Sequence, residues 1–97
     1  MIKADIVSQV SENTGVEKST VQKALDAFME TVKASLAGGN NVYLRGFGSF
    51  IVKKRAEKVA RNISKNTTVI IPEHFIPLFK PADSFVSQVK DKVKSDD

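Results

Sequence analysis

Ninety-seven residues, 41% hydrophobic and 27% charged, suit one folded domain and exclude wholesale disorder. The chain has no cysteine and one histidine, which excludes disulfides and cysteine nucleophiles and leaves a zinc site only carboxylates to rest on. Its net charge of +4 is unevenly placed: residues 45 to 80 hold eight basic side chains against Glu57 and Glu73, so that stretch carries +6 and the rest of the chain −2.

The chain opens Met1-Ile2-Lys3-Ala4-Asp5, without the apolar core of a signal peptide. No later run approaches membrane-spanning length, so the expected location is the cytoplasm, with no membrane partner. Ile2, Ile6, Val7 and Val10 recur at helical spacing and predict a first helix that stops at Gly15. Ser19 with Gln22 three residues on predicts a capping box opening a second helix. In that helix Val21, Leu25, Phe28, Met29, Val32 and Leu36 form a long apolar stripe, ended by Gly38-Gly39. Two helices with one apolar face each need a cover.

The period changes at Asn40. Val42-Tyr43-Leu44 is a short β-prone run, Gly46-Phe47-Gly48 a tight turn, and residues 49–60 a long stretch that is β-prone in its first half. After residues 62–66, Thr67-Thr68-Val69-Ile70-Ile71 resumes strand character. Pro72 and Pro77 each remove a ladder donor, which predicts an edge or bulged strand. Beyond Pro81, the spacing of Ala82, Phe85, Val86, Val89 and Val93 predicts a third helix, with Asp83 favourably placed in its first turn. The tail at 94–97 is expected to fray. The fold class is therefore α+β: a two-helix hairpin, a three-stranded antiparallel sheet with a long projecting ribbon, and a C-terminal helix.

The charge asymmetry falls on that ribbon. Alternation on a pleated strand gives Lys53, Arg55 and Arg61 one parity and Lys54 and Lys58 the other. A ribbon basic on both sides cannot pack on its own core, and it is suited to lie along a polyanion, of which nucleic acid is the commonest large one. Phe47, Phe50, Phe75, Phe79 and Phe85 are more aromatics than a small sheet with a projecting hairpin hides alone, which points to a second subunit. Catalysis finds no footing. His74 stands alone, and Glu73 beside it points to the opposite face of a strand. Gly46-Phe47-Gly48 is too short for a dinucleotide-binding motif, and no GxxxxGK run exists. The reading is of a non-enzyme without metal, cofactor or small-molecule substrate.

Gly46-Phe47-Gly48-Ser49-Phe50, Arg55, Ala60-Arg61-Asn62, Ile71-Pro72 and Phe79-Lys80-Pro81 resemble the bacterial histone-like HU/IHF family of architectural DNA-binding proteins. The resemblance runs in one register from residue 3 to about 89. It implies a single domain over 1–97 with an arm at about 53–72, forming an intertwined homodimer, with a heterodimer open, around Phe47, Phe50 and Phe79. The implied activity is bending and compaction of duplex DNA with little sequence preference, in the nucleoid, by arms inserted into the minor groove. By family position Lys53, Arg55, Lys58 and Arg61 line the inner side of the arm, and Asn62, Ile63 and Lys65 form its tip. Lys3, Arg45, Gly46 and Lys80 are candidates on the saddle and flanks.

The chain departs from the family pattern in several places. The family tip reads Arg-Asn-Pro, its proline wedging between base pairs. Here it is Arg61-Asn62-Ile63, an apolar wedge of another shape on a backbone that has regained φ freedom and a donor, which predicts a less rigid tip. Asp83 replaces a residue often basic, Lys58 replaces an arginine, Phe75 stands where lysine is common, and residues 66–70 hold no cation. Fewer phosphate contacts and a shallower salt dependence follow. Two alternatives stay open: a sequence-selective IHF-like subunit, and a dimeric interaction module whose arm grips a partner other than DNA.

Overall fold

The computed structural model describes residues 1–93; the tail at 94–97, expected to fray, lies outside the described residues. The class is α+β, with three helices and five antiparallel strands among the described residues. The chain forms two compact units, Met1–Ser35 and the remainder from Leu36.

In the first unit, α1 spans Lys3–Thr14. Its N-cap is Ile2, which has no side-chain acceptor, so only half a capping box forms. The Asp5 carboxylate reaches back to accept the Ile2 N–H at 2.8 Å, a charge also favoured by the helix dipole. At the other end Gly15 donates its N–H to the Ser11 carbonyl at 2.8 Å. Ser11 and Thr14 close the connection through side-chain bonds, Ser11 Oγ to the Val16 carbonyl and Thr14 Oγ1 from the Val16 N–H. The next helix, α2, spans Lys18–Ala37, and here the expected Ser19–Gln22 capping box is corrected. The Val21 N–H already donates to the Glu17 carbonyl at 3.0 Å, so the helix opens at Glu17 and Ser19 lies inside its first turn. Val7, Val21 and Val32 are buried. Ile6, Val10, Phe28 and Met29, from the same apolar stripes, stay partly exposed.

The second unit begins with the last two residues of α2 and continues as β1 (Val42–Leu44), β2 (Gly48–Arg55), β3 (Lys58–Asn62), β4 (Thr67–Ile71), β5 (His74–Pro81) and α3 (Asp83–Lys92). Strands β1, β2 and β5 form an antiparallel sheet in the order β1-β2-β5, while β3 and β4 form a separate two-stranded ribbon. The two long strands expected are therefore each cut in two. Pro72 and Glu73 interrupt one, and Ala56 and Glu57 the other, opposite each other between the pairs Arg55↔His74 and Lys58↔Ile71. Pro72 has no N–H to continue the ladder. Pro77 lies in β5, an edge strand, as its missing donor requires.

The Gly-Phe-Gly turn has two separate reasons for its glycines. Gly46 sits at φ 81°, a region costly for residues with a Cβ. Gly48 has ordinary φ, but a Cβ there would lie 2.6 Å from the Lys80 carbonyl oxygen and 2.7 Å from the Phe79 ring, so glycine admits the close approach of β5. That approach assembles an aromatic cluster. Phe79 lies 5.1 Å from Phe47 and 4.9 Å from Phe50, and Phe85 of α3 stacks on Phe47 at 5.6 Å between centroids. The Ala82 N–H, donating to the Phe47 carbonyl at 2.9 Å, ties α3 to the turn. Asp83 in its first turn and Lys90 and Lys92 in its last suit the helix dipole.

Candidate nucleic-acid interface

Strand alternation and the observed register sort the sheet into two faces. Tyr43, Ser49 and Lys80 form one cross-strand row, and Lys53 and Arg55 follow on the same face of β2. The opposite face carries Phe50, Phe75 and Phe79 together with Lys54. Arg45 and Gly46 occupy the turn at the end of the sheet, where Arg45, Tyr43, Ser49, Lys80 and Asp83 line a shallow cleft. The structure thus brings Arg45, Gly46, Lys53, Arg55 and Lys80 to one exposed region, with one carboxylate, Asp83, at its edge.

On the ribbon, Lys58 is opposite Ile71 and Arg61 opposite Thr68, three residues apart on one strand and so on opposite faces. The expectation that Lys53, Arg55, Lys58 and Arg61 line one side is corrected in this respect, because alternation within the ribbon itself separates Lys58 from Arg61. Among the described residues Arg45, Lys53, Arg55, Lys58, Lys65 and Lys80 form no ion pair. Three other cations are engaged: Lys54 with Glu73 at 3.3 Å, Lys3 with Asp26 at 3.1 Å and Lys33 with Glu30 at 3.1 Å. Lys3 belongs to the helical unit.

At the tip, Arg61 Nη2 donates to Asn66 Oδ1 at 2.7 Å, and Asn62 Oδ1 accepts Ser64 Oγ–H at 2.8 Å. Ile63 is 90% exposed, which removes the possibility that it packs on its own hairpin. Glu73 is held by Lys54, and His74 Nδ1 lies 3.0 Å from the Pro72 carbonyl oxygen, so both serve the break between sheet and ribbon. Among the described residues no cluster of three metal-ligating side chains occurs, and no helix is long and apolar enough to cross a membrane.

The sequence model of the family described as bacterial DNA-binding protein matches residues 1–90. The chain is 36% identical over 90 residues to the DNA-binding protein HU of Thermotoga maritima, covering 93% of this chain and 100% of that one. The chain belongs to the HU/IHF family. Family resemblance extends to the integration host factor subunit beta of Marinobacter nauticus, 35% identical over 95 residues and covering 97% of each chain. Among solved structures, an HU–DNA cocrystal from Anabaena superposes with a TM-score of 0.87 at 32% identity, over 92% of this chain and 97% of that one.

The site also has polar residues that charge counting passed over. Tyr43 is 71% exposed in the row with Ser49 and Lys80. Asn41 accepts the Val52 N–H on Oδ1 at 2.9 Å and donates from Nδ2 to the Tyr43 hydroxyl oxygen at 3.2 Å. The available signal was a strand alternation that puts Tyr43 and Leu44 on opposite faces. Asn66, at φ 52°, is the one non-glycine residue with positive φ among those described.

Proposed function

We propose that this chain is an architectural DNA-binding protein that acts as a dimer, binds duplex DNA with little sequence preference and bends it by inserting its ribbons into the minor groove. The observation that carries this reading is the continuous exposed basic course from Arg45 and Lys80, through Lys53 and Arg55, to a ribbon bearing Lys58, Arg61 and Lys65 and ending in an exposed Ile63. Lysines and arginines of this kind release counterions from phosphates, a sequence-independent source of affinity. The likeness to an HU captured with DNA supports the same course. Lys53, Arg55, Lys58, Arg61 and Lys65 are assigned to phosphates and groove edges, and Arg45, Lys80 and the Gly46 backbone to the flank of the duplex. Ile63 is the apolar wedge, a device that minor-groove binders such as HU and IHF employ. Lys3 reaches phosphate only by giving up Asp26.

The dimer is supported by what one chain leaves uncovered. Phe47, at the centre of the aromatic cluster, is 47% exposed, and no phenylalanine is among the buried residues. A second copy packed around Phe47, Phe50 and Phe79 removes that area from water, worth about 25 cal/mol per Å2. The single domain spans both units, no catalytic step is assigned to any side chain, and the location that follows is the cytoplasm, on the nucleoid.

A salt titration with an end-labelled duplex of about 35 base pairs, recording end-to-end energy transfer, tests this reading. The expected result is a log-linear loss of affinity with salt and an approach of the duplex ends on binding. Ends that stay apart remove bending; absence of binding at low salt overturns the reading.

A further inference from the structure

Without proline at position 63, nothing in the covalent chain restricts φ at the tip. Residues 63–66 connect Asn62 to its cross-strand partner Thr67, and side chains tie this loop at both ends. Asn62 Oδ1 accepts from Ser64 Oγ at 2.8 Å and lies 3.4 Å from the Lys65 N–H, a side-chain-closed turn of the kind asparagine favours. On the return side Asn66 adopts φ 52°, a conformation asparagine accepts more readily than most residues, and its Oδ1 receives Arg61 Nη2 at 2.7 Å. Both asparagines therefore spend their carbonyl oxygens inside the loop. Ile63 stands at its apex with 90% of its surface exposed.

We infer that Asn62 and Asn66 are positioning residues: their side chains preorganise the tip and hold Ile63 outward, in place of the restraint a proline ring would supply. The consequence for bending rests on the function proposed above, but the preorganisation itself is a property of the free protein. A wedge already ordered loses less conformational freedom when it enters the base stack than a floppy one does. The assignment also changes two contacts. Asn62 meets DNA only through its amide nitrogen, and Arg61 through the guanidinium N–H groups that Asn66 does not hold.

The chain supplies its own control. Ile63 lies on the side of φ that proline requires, since Asn66 alone among the described non-glycine residues has positive φ, and Asn62 before it is in strand conformation. Ile63→Pro in an Asn62→Ala/Asn66→Ala background therefore restores restraint by an independent route. Backbone 15N relaxation of the full chain without DNA is the first readout. The expected order parameters at residues 64–66 are near about 0.85 in the parent, below about 0.6 in the double variant, and recovered in the triple variant. In the duplex assay the double variant loses about 2- to 10-fold in affinity for intact DNA and bends it less. Its loss is smaller on a nicked, already flexible duplex, and the triple variant regains bending. Unchanged order parameters in the double variant overturn the inference, as does a triple variant that stays mobile. A parent that fails to bend DNA defeats the functional reading alone, because the relaxation data still decide whether the two asparagines hold the tip.

Discussion

At the scale of single residues, the hydrogen-bond chain from Val52 through Asn41 to Tyr43 decides what the tyrosine offers. Asn41 presents an N–H to the phenol oxygen, so the hydroxyl proton is left to donate outward, beside Ser49 and Lys80. A phosphate is the acceptor this favours under the proposed function. The chain contains one tyrosine and no tryptophan, so its ultraviolet emission reports on this spot alone. Adding duplex DNA is expected to quench that emission. Tyr43→Phe should weaken binding about tenfold, the scale of a hydrogen bond to a charged group. It should leave the salt slope unaltered, because a neutral hydroxyl displaces no counterion. Emission indifferent to DNA would take Tyr43 out of the interface. The cations and the Gly-Phe-Gly turn were readable in the sequence because their meaning is local. The engagement of Lys3 was not, since its partner Asp26 lies twenty-three residues away, and neither was the asparagine chemistry at the tip, which depends on a turn that forms only when β3 and β4 pair.

At the scale of elements, the helices were legible to within a residue or so, because glycines punctuate them and apolar spacing runs through them. The exception is the start of α2, where a Ser-x-x-Gln pattern mimics a cap one turn into a helix that Glu17 already opens. The strands were legible in type and not in extent. Pro72 announces a break, but nothing in Ala56-Glu57 announces the one opposite it, even though the pairing register is the same on both sides. The break carries Glu73, whose bond to Lys54 withdraws one cation from the basic course. Both partners are more than half exposed, so the pair contributes only about 0–1 kcal/mol to stability. Glu73→Gln should therefore leave the unfolding midpoint almost unmoved. By freeing Lys54 it should steepen the log–log salt dependence of DNA binding by up to about 0.9 per chain. A slope identical to the parent's would put Lys54, which shares its face with Phe75 and Phe79, off the path of the DNA.

At the scale of the whole molecule, the question is what covers the apolar surface. The helical unit buries Val7, Val21 and Val32 yet leaves Ile6, Val10, Phe28 and Met29 partly in water; the sheet unit does the same with Phe47, Val86 and Val89. Phe75, on the aromatic face but outside the cluster, is 67% exposed. Scattered apolar residues on a surface need no explanation, but these recur on every element that also supplies the interior. Sequence periodicity shows that such faces exist without showing whether one chain can close them, which is why the dimer was an inference from family and from aromatic count. If a second copy covers them, folding and association are one reaction, and the unfolding midpoint must rise with protein concentration. Sedimentation at micromolar concentration should then give the mass of two chains. Phe47→Ala sharpens the test. In a lone chain the half-exposed ring has already forgone much of its burial, and its loss costs little. In a dimer that encloses it, the loss approaches the roughly 3–5 kcal/mol of a fully buried phenylalanine, and the variant's midpoint depends more steeply on concentration. A midpoint independent of concentration, with the mass of one chain, would refute the dimer and leave each arm to grip DNA alone.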